Sequence, residues 1–183
     1  MHFTEYDTRL AAYALVLDLQ ARHLNDGAWP TDHPDREQPP KRHGQPHMLL
    51  TWYNGTGRGA ACWTLPGGGV DFKEAPHDAV VREVYEETGY AVALDGPLAI
   101  HTFTLDQGVT PDRPYKGVQL LYAAHVTGGS LGTVEVGGTT DLAAWFPMEA
   151  LPRQDPLSPI VRMALKAHDA RDLGGLDGQN ACW

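Results

Sequence analysis

The chain has little with which to cross-link itself or build a soft-metal centre. Its two cysteines, Cys62 and Cys182, form no CxxC pair, and its nine histidines are scattered without an HExxH motif. That pattern suggests no disulfide framework and no paired His or Cys metal spacing. Cations are also few: 14 Lys and Arg stand against 23 Asp and Glu, a formal net charge of −9. Such a balance argues against extended nucleic acid or an anionic membrane as a partner for a basic surface. It leaves room for a small phosphorylated substrate, because a bound cation can invert the local field. Long apolar runs are missing. The run Ala11 to Leu17 is short, preceded by Glu5 and Asp7 and followed by Asp18. It reads as neither signal peptide nor membrane span, so a cytoplasmic location is the default expectation. The glycine cluster Gly55-Thr56-Gly57-Arg58-Gly59 lacks a GK[ST] ending and a following helix, which makes it a hairpin turn and not a nucleotide loop.

What the chain does have is a dense set of acids at fixed offsets. From Gly68 to Tyr90 the sequence is GGVDFKEAPHDAVVREVYEETGY. On an α-helix, Glu83, Glu86 and Glu87 are related as i, i+3 and i+4, so three carboxylates share one face. Like charges at those spacings cost a bare helix roughly 0.2–0.5 kcal/mol per pair. A hard divalent cation with oxygen ligands would offset that cost. Local signals frame the helix. Pro76 suits its first turn, Asp78 faces the positive end of the dipole, and Gly89 suits its C-terminal stop. Ala75, Ala79, Val80 and Val84 form the opposite, apolar stripe. Arg82 precedes Glu86 by four residues, close enough to pair with it and hold the carboxylates in place. Upstream, Leu65-Pro66-Gly67-Gly68-Gly69 is a loop whose glycines can bring backbone groups close to a metal or phosphate.

The pattern Gly68-x5-Glu74-x7-Arg82-Glu83-Val84-x-Glu86-Glu87-x-Gly89-Tyr90 resembles the signature of the Nudix hydrolases. Two positions depart from it: Tyr90 replaces the usual aliphatic residue, and Ala75 a common Ser or Thr cap. The missing cap costs on the order of 1 kcal/mol of helix stability. The resemblance implies an α/β fold, an α/β/α sandwich around a mixed sheet. It also implies Mg²⁺- or Mn²⁺-dependent hydrolysis of a phosphoanhydride in a nucleoside diphosphate linked to another moiety. By position, Glu83, Glu86 and Glu87 correspond to the family's metal-binding carboxylates. The Gly67 carbonyl and Glu74 are auxiliary ligands, and Arg82 orients the set. The general base stays open among Glu74, Glu86, Glu87, Glu135 and Asp141. A non-catalytic, metabolite-binding regulator on the same fold is the alternative. Isomerase chemistry on this fold would need a catalytic cysteine, whereas Cys62 reads as a small strand hydrophobe.

The 183 residues suit one domain, with a polar, proline-rich insert at about 20–47 that is either passive or a lid or dimer contact. Strands are expected at Leu10–Leu19, Met48–Tyr53, Ala60–Thr64, Ala91–Leu94, Leu98–Leu105 and Val118–Val126. A last helix is expected at Pro159–His168, followed by a short tail. Phosphate contacts are sought among Arg58, Lys73, Arg113, Lys116 and Arg153, and base stacking among Tyr115, Phe103 and Trp145, the last two reading better as core. No proline stands beyond the box where ADP-ribose hydrolases of the family tend to have one, so the substrate is not named. A homodimer is possible on resemblance alone.

Overall fold

Apolar side chains alternate along the first strand, β1 (Asp7–Asp18), and so feed two separate cores. Ala12, Ala14 and Val16 enter one, while Leu15 enters the other with Tyr13 and Leu17 packed against it. The computed structural model describes residues 1–20, 22, 44–56, 59–106, 113–134 and 136–173. Within them β1 is followed by β2 (His47–Tyr53), β3 (Cys62–Thr64), β4 (Gly67–Gly69) and helix α1 (Pro76–Thr88). Then come β5 (Tyr90–Leu105), β6 (Tyr115–Gly129), β7 (Thr140–Pro147), a single 3-10 turn at Leu151–Arg153, and α2 (Pro159–Leu173).

The sheet runs β3-β2-β1-β6-β5, with β4 added on β1 and β7 on β2. Only β1 and β6 pair in parallel; the other pairs are antiparallel, so the sheet is mixed. Val80 and Val84 of α1 pack with Ala12, Leu49 and Trp145 on one face. Ile160, Val161 and Ala164 of α2 pack with Leu15, Met48 and Phe146 on the other. The result is the expected sandwich of helices around a mixed sheet.

Two expectations are corrected. The glycine loop is in part a strand: Gly67, Gly68 and Gly69 register against Tyr13, Ala12 and Ala11 of β1. Glycine is a poor strand former, so propensity conceals this pairing. The approach needs it, because a Cβ on Gly67 would overlap the Ala12 carbonyl oxygen and lie 2.6 Å from the Tyr13 Cα. Second, the two strands expected at 91–94 and 98–105 are one, β5, running straight through Asp95-Gly96-Pro97. Register shifts flank that tripeptide, and Gly96 at φ 130° absorbs the distortion. Pro97 is tolerated because β5 lies at the sheet edge. Nearly all of the insert (21 and 23–43) lies outside the described residues, as does the tail from 174.

Candidate metal centre and active site

The acid-bearing helix begins and ends as its sequence dictates. Ala75 is extended at the N-cap and supplies no side-chain bond, Pro76 opens the first turn, and Gly89 closes the helix in the left-handed conformation at φ 73°. Any side chain at Gly89 would be strained, and its Cβ would meet the Gly132 carbonyl oxygen at 2.6 Å. Ala79, Val80 and Val84 are buried as the apolar stripe requires, and Glu87 and Thr88 are buried with them. The helix is thus rolled so that its acidic flank lies against the glycine strand. A Cβ on Gly68 would fall 2.6 Å from Glu83 Oε1, so the missing side chain makes room for that carboxylate.

Arg82 is the hub of the cluster. Its Nε and NH2 donate to the two oxygens of Glu74 at 2.8 and 2.9 Å, a bidentate pair. NH1 donates to Glu83 Oε1 at 2.9 Å and to Glu86 Oε2 at 3.1 Å, and NH2 also reaches the Gly69 carbonyl at 3.2 Å. The reach to Glu86 is the expected helical pair; the fork onto Glu74 is not visible in the spacing. Hydrogen bonding to Arg82 lowers the Glu74 carboxyl from its ordinary 4.5 to about 2, and in return Glu74 holds the guanidinium firmly protonated. A depressed carboxyl contributes stability above its unfolded value, and loses it as pH falls through the folded one. The pair therefore stabilises the fold above pH 4.5 and ceases to as pH drops toward about 2. Carboxyl titration by NMR should place Glu74 near 2, and Arg82→Gln should return it to the ordinary range. An unchanged midpoint in the variant would exclude Arg82 as the cause.

Glu87 is held differently. Its buried carboxylate accepts the Gly67 N–H at Oε2, 2.9 Å, and the Thr140 hydroxyl at Oε1. Thr140 is itself buried at the start of β7, 53 residues along the chain. No sequence signal marks it, because its partner is distant and its neighbourhood is loop. The loop before β7 is tied to the helix as well, the Val134 N–H donating to the Glu86 carbonyl at 2.9 Å.

Three carboxylates thus crowd around one guanidinium and a fourth, Glu87, is held at Gly67, giving hard oxygens and a surplus of negative charge. That donor chemistry fits Mg²⁺ or Mn²⁺ and not a soft thiophilic ion. Among the described residues no three His, Cys, Asp or Glu side chains converge as a preformed cage. Arg82 takes up carboxylate oxygens of Glu74, Glu83 and Glu86 that would otherwise face one another.

The NUDIX domain family model matches residues 40–165, more than half of the chain. The chain belongs to the Nudix family. It is 30% identical over 115 residues to a MutT-like protein of Streptomyces ambofaciens, covering 61% of this chain and 70% of that protein. An ADP-ribose pyrophosphatase of Methanocaldococcus jannaschii is 32% identical over 94 residues, half of each chain. The chain spans about half the length or less of several curated relatives it matches. In fold it is similar to a MutT NUDIX hydrolase of Burkholderia pseudomallei, TM-score 0.61 at 24% identity, covering 88% of this chain and 98% of that one.

Other candidates in this Nudix chain sort clearly. Asp141, the residue after Thr140, is exposed and accepts Asn54 Nδ2 at 2.8 Å. Glu135 and Arg58 lie outside the described residues. Arg113 is occupied by Asp7 at 2.8 Å. Trp145 is buried, its indole N–H bonded to the Tyr90 hydroxyl at 3.2 Å, so Tyr90 fits in place of an aliphatic residue by serving as a core partner. Phe103 is not core: it is half-buried and belongs to neither cluster. Burial raises the Cys62 thiol, the opposite of what a reactive thiolate needs. No helix among the described residues is long and apolar enough to cross a membrane.

Proposed function

We propose that the chain is a divalent-metal-dependent hydrolase of a phosphoanhydride bond in a nucleoside diphosphate linked to another moiety. The observation that carries this reading is the cluster of Glu74, Glu83 and Glu86 on Arg82, with Glu87 bonded to Gly67 of the glycine strand beside them. Glu83, Glu86 and Glu87 are the proposed metal ligands, with the Gly67 carbonyl and Glu74 beside them. A bound Mg²⁺ or Mn²⁺ would neutralise the diphosphate and acidify a water.

The chain's own groups have distinct tasks. Arg82 holds Glu83 and Glu86 aimed at one region, and its bidentate hold on Glu74 fixes the loop just before the helix start. Gly67 and Thr140 pin both oxygens of Glu87, which limits its rotation during turnover. Glu86 has the freest carboxylate, its side chain 38% exposed, and so is the proposed residue to receive the proton of the attacking water. The described part is proposed to act as one domain.

The test is an assay of phosphoanhydride cleavage with Mg²⁺ or Mn²⁺ across ADP-ribose, nucleotide sugars, nucleoside triphosphates, dinucleoside polyphosphates and NADH. ADP-ribose leads the panel because the Methanocaldococcus jannaschii relative is named for its hydrolysis. Metal-dependent turnover of one class is expected. Absence of turnover for every class would replace this reading with that of a binding protein.

A further inference from the structure

Regular alternation along β7 would aim Thr140 away from Glu87. Leu142, Ala144 and Phe146 enter the core packed by α2, and Ala143 and Trp145 enter the core packed by α1. Counting back from Leu142, Thr140 belongs on the α2 side, because successive strand residues point to opposite faces. Its hydroxyl nevertheless meets Glu87 of α1. The register explains the reversal. Trp52 pairs with Leu142 and Tyr53 with Thr140, so Asp141 is an extra residue in β7, a bulge. A one-residue slip turns every side chain beyond it to the other face, and Thr140 lies beyond it.

A bulge interrupts the ladder, so Thr140 needs another support. Asn54, the residue after β2, supplies it. Its backbone N–H donates to the Thr139 carbonyl at 2.9 Å. Its Nδ2 donates to the Gly138 carbonyl at 3.2 Å and to the Asp141 carboxylate at 2.8 Å. These bonds bracket Thr140 on both sides. The amide can face only one way, because its Oδ1 accepts the Thr56 N–H at 3.0 Å and a backbone N–H only donates. The Thr56 hydroxyl donates to the same oxygen at 2.6 Å. The Asn54 side chain is thus set by its own turn before it reaches across to the loop. The other end of that loop is tied to α1 itself. Gly132 and Val134 donate their N–H groups to the Thr88 and Glu86 carbonyls, each at 2.9 Å.

We propose that Asn54 is a positioning residue for the acidic centre, holding the Asp141 bulge so that the Thr140 hydroxyl meets Glu87. The proposal rests on the reading of Glu87 as a metal ligand. Groups that orient a ligand without touching the metal still govern affinity, and their loss weakens binding about 10- to 100-fold.

The test is Mn²⁺ affinity, followed by electron paramagnetic resonance without substrate, in wild type, Asn54→Ala, Thr140→Val and the double variant. Each single variant should weaken Mn²⁺ binding by about tenfold or more. The double variant should bind no more weakly than Thr140→Val alone, since both residues act along one path. Thr140→Ser keeps the hydroxyl and should stay near wild type. Asn54→Asp keeps the shape and the Thr56 bonds but loses the Nδ2 donor and sets a second charge against Asp141. It should weaken Mn²⁺ binding as Asn54→Ala does. In the metal-free protein, the Glu87 carboxyl carbon resonance in Asn54→Ala should move toward its position in Thr140→Val. Wild-type Mn²⁺ affinity in both Asn54 variants, even with a lowered melting temperature, would make Asn54 a turn residue only and overturn the proposal. So would losses that multiply in the double variant, because Asn54 and Thr140 would then act separately. Neither result touches the hydrolase reading, which rests on anhydride cleavage by the wild type. The expected coupling without any such cleavage would sink the hydrolase reading alone.

Discussion

Glu86→Gln is expected to lower kcat/KM by about 100- to 1000-fold and leave the protein folded. Charge stabilisation through a bound metal is worth several kcal/mol, and each 1.36 kcal/mol is a factor of ten, so loss of one ligand charge gives a reduction of about that size. The fold should not notice. The Glu86 side chain is 38% exposed, and its ion pair to Arg82, at 3.1 Å, is by distance the weakest of the three that Arg82 makes among the described residues. Exposed helical pairs of this kind contribute about 0.3–0.5 kcal/mol. Steady-state rates on the best substrate, with a thermal melt of each protein, check both halves. A well-folded variant with a wild-type rate would remove Glu86 from the site.

Gly67→Ala should do the reverse, damaging the fold first. Gly67 sits at φ 140°, a conformation that costs other residues about 1–3 kcal/mol. Its new Cβ would also overlap the Ala12 carbonyl, and forced overpacking of backbone adds about 1–3 kcal/mol more. The neighbouring Gly68→Ala is a useful contrast. There the obstacle is the Glu83 carboxylate, 2.6–2.8 Å away, which is the movable end of a side chain. Urea unfolding should show a loss of about 3 kcal/mol or more for Gly67→Ala and a much smaller loss for Gly68→Ala. The second variant should instead lose activity, because Glu83 is displaced. Equal stability losses in the two would contradict the close pairing of β4 with β1.

Much of this site was legible in the sequence because it is local. The i, i+3, i+4 spacing of Glu83, Glu86 and Glu87, the stripe of Ala79, Val80 and Val84, the Pro76 start and the Gly89 stop each follow from helix periodicity and backbone preference. The aliphatic run of β1 and the apolar run of β2 likewise announced strands. What stayed hidden depends on contacts far along the chain. Thr140 reaches Glu87 across 53 residues, and nothing near Thr140 foretells it. The Arg82–Glu74 fork depends on a tight turn in which the Glu74 N–H bonds the Asp71 carbonyl. The strand at Gly67–Gly69 runs against propensity, and the turn-like Asp95-Gly96-Pro97 is absorbed as a bulge at a sheet edge. Phe103 looked like core by its alternation. It escapes burial because the apolar residues of α2 cluster with Leu15, Leu98 and Ala99, further along that face.

The most direct test of the carboxylate cluster as a metal centre is Mn²⁺ binding, followed by electron paramagnetic resonance without substrate. Wild-type protein should bind Mn²⁺, with affinity reduced about 10- to 100-fold or more in Glu83→Gln and in Glu86→Gln, the least expected when even a supporting group around a metal is lost. Mn²⁺ binding of equal strength in wild type and both variants would show that the acidic face of α1 does not hold the ion.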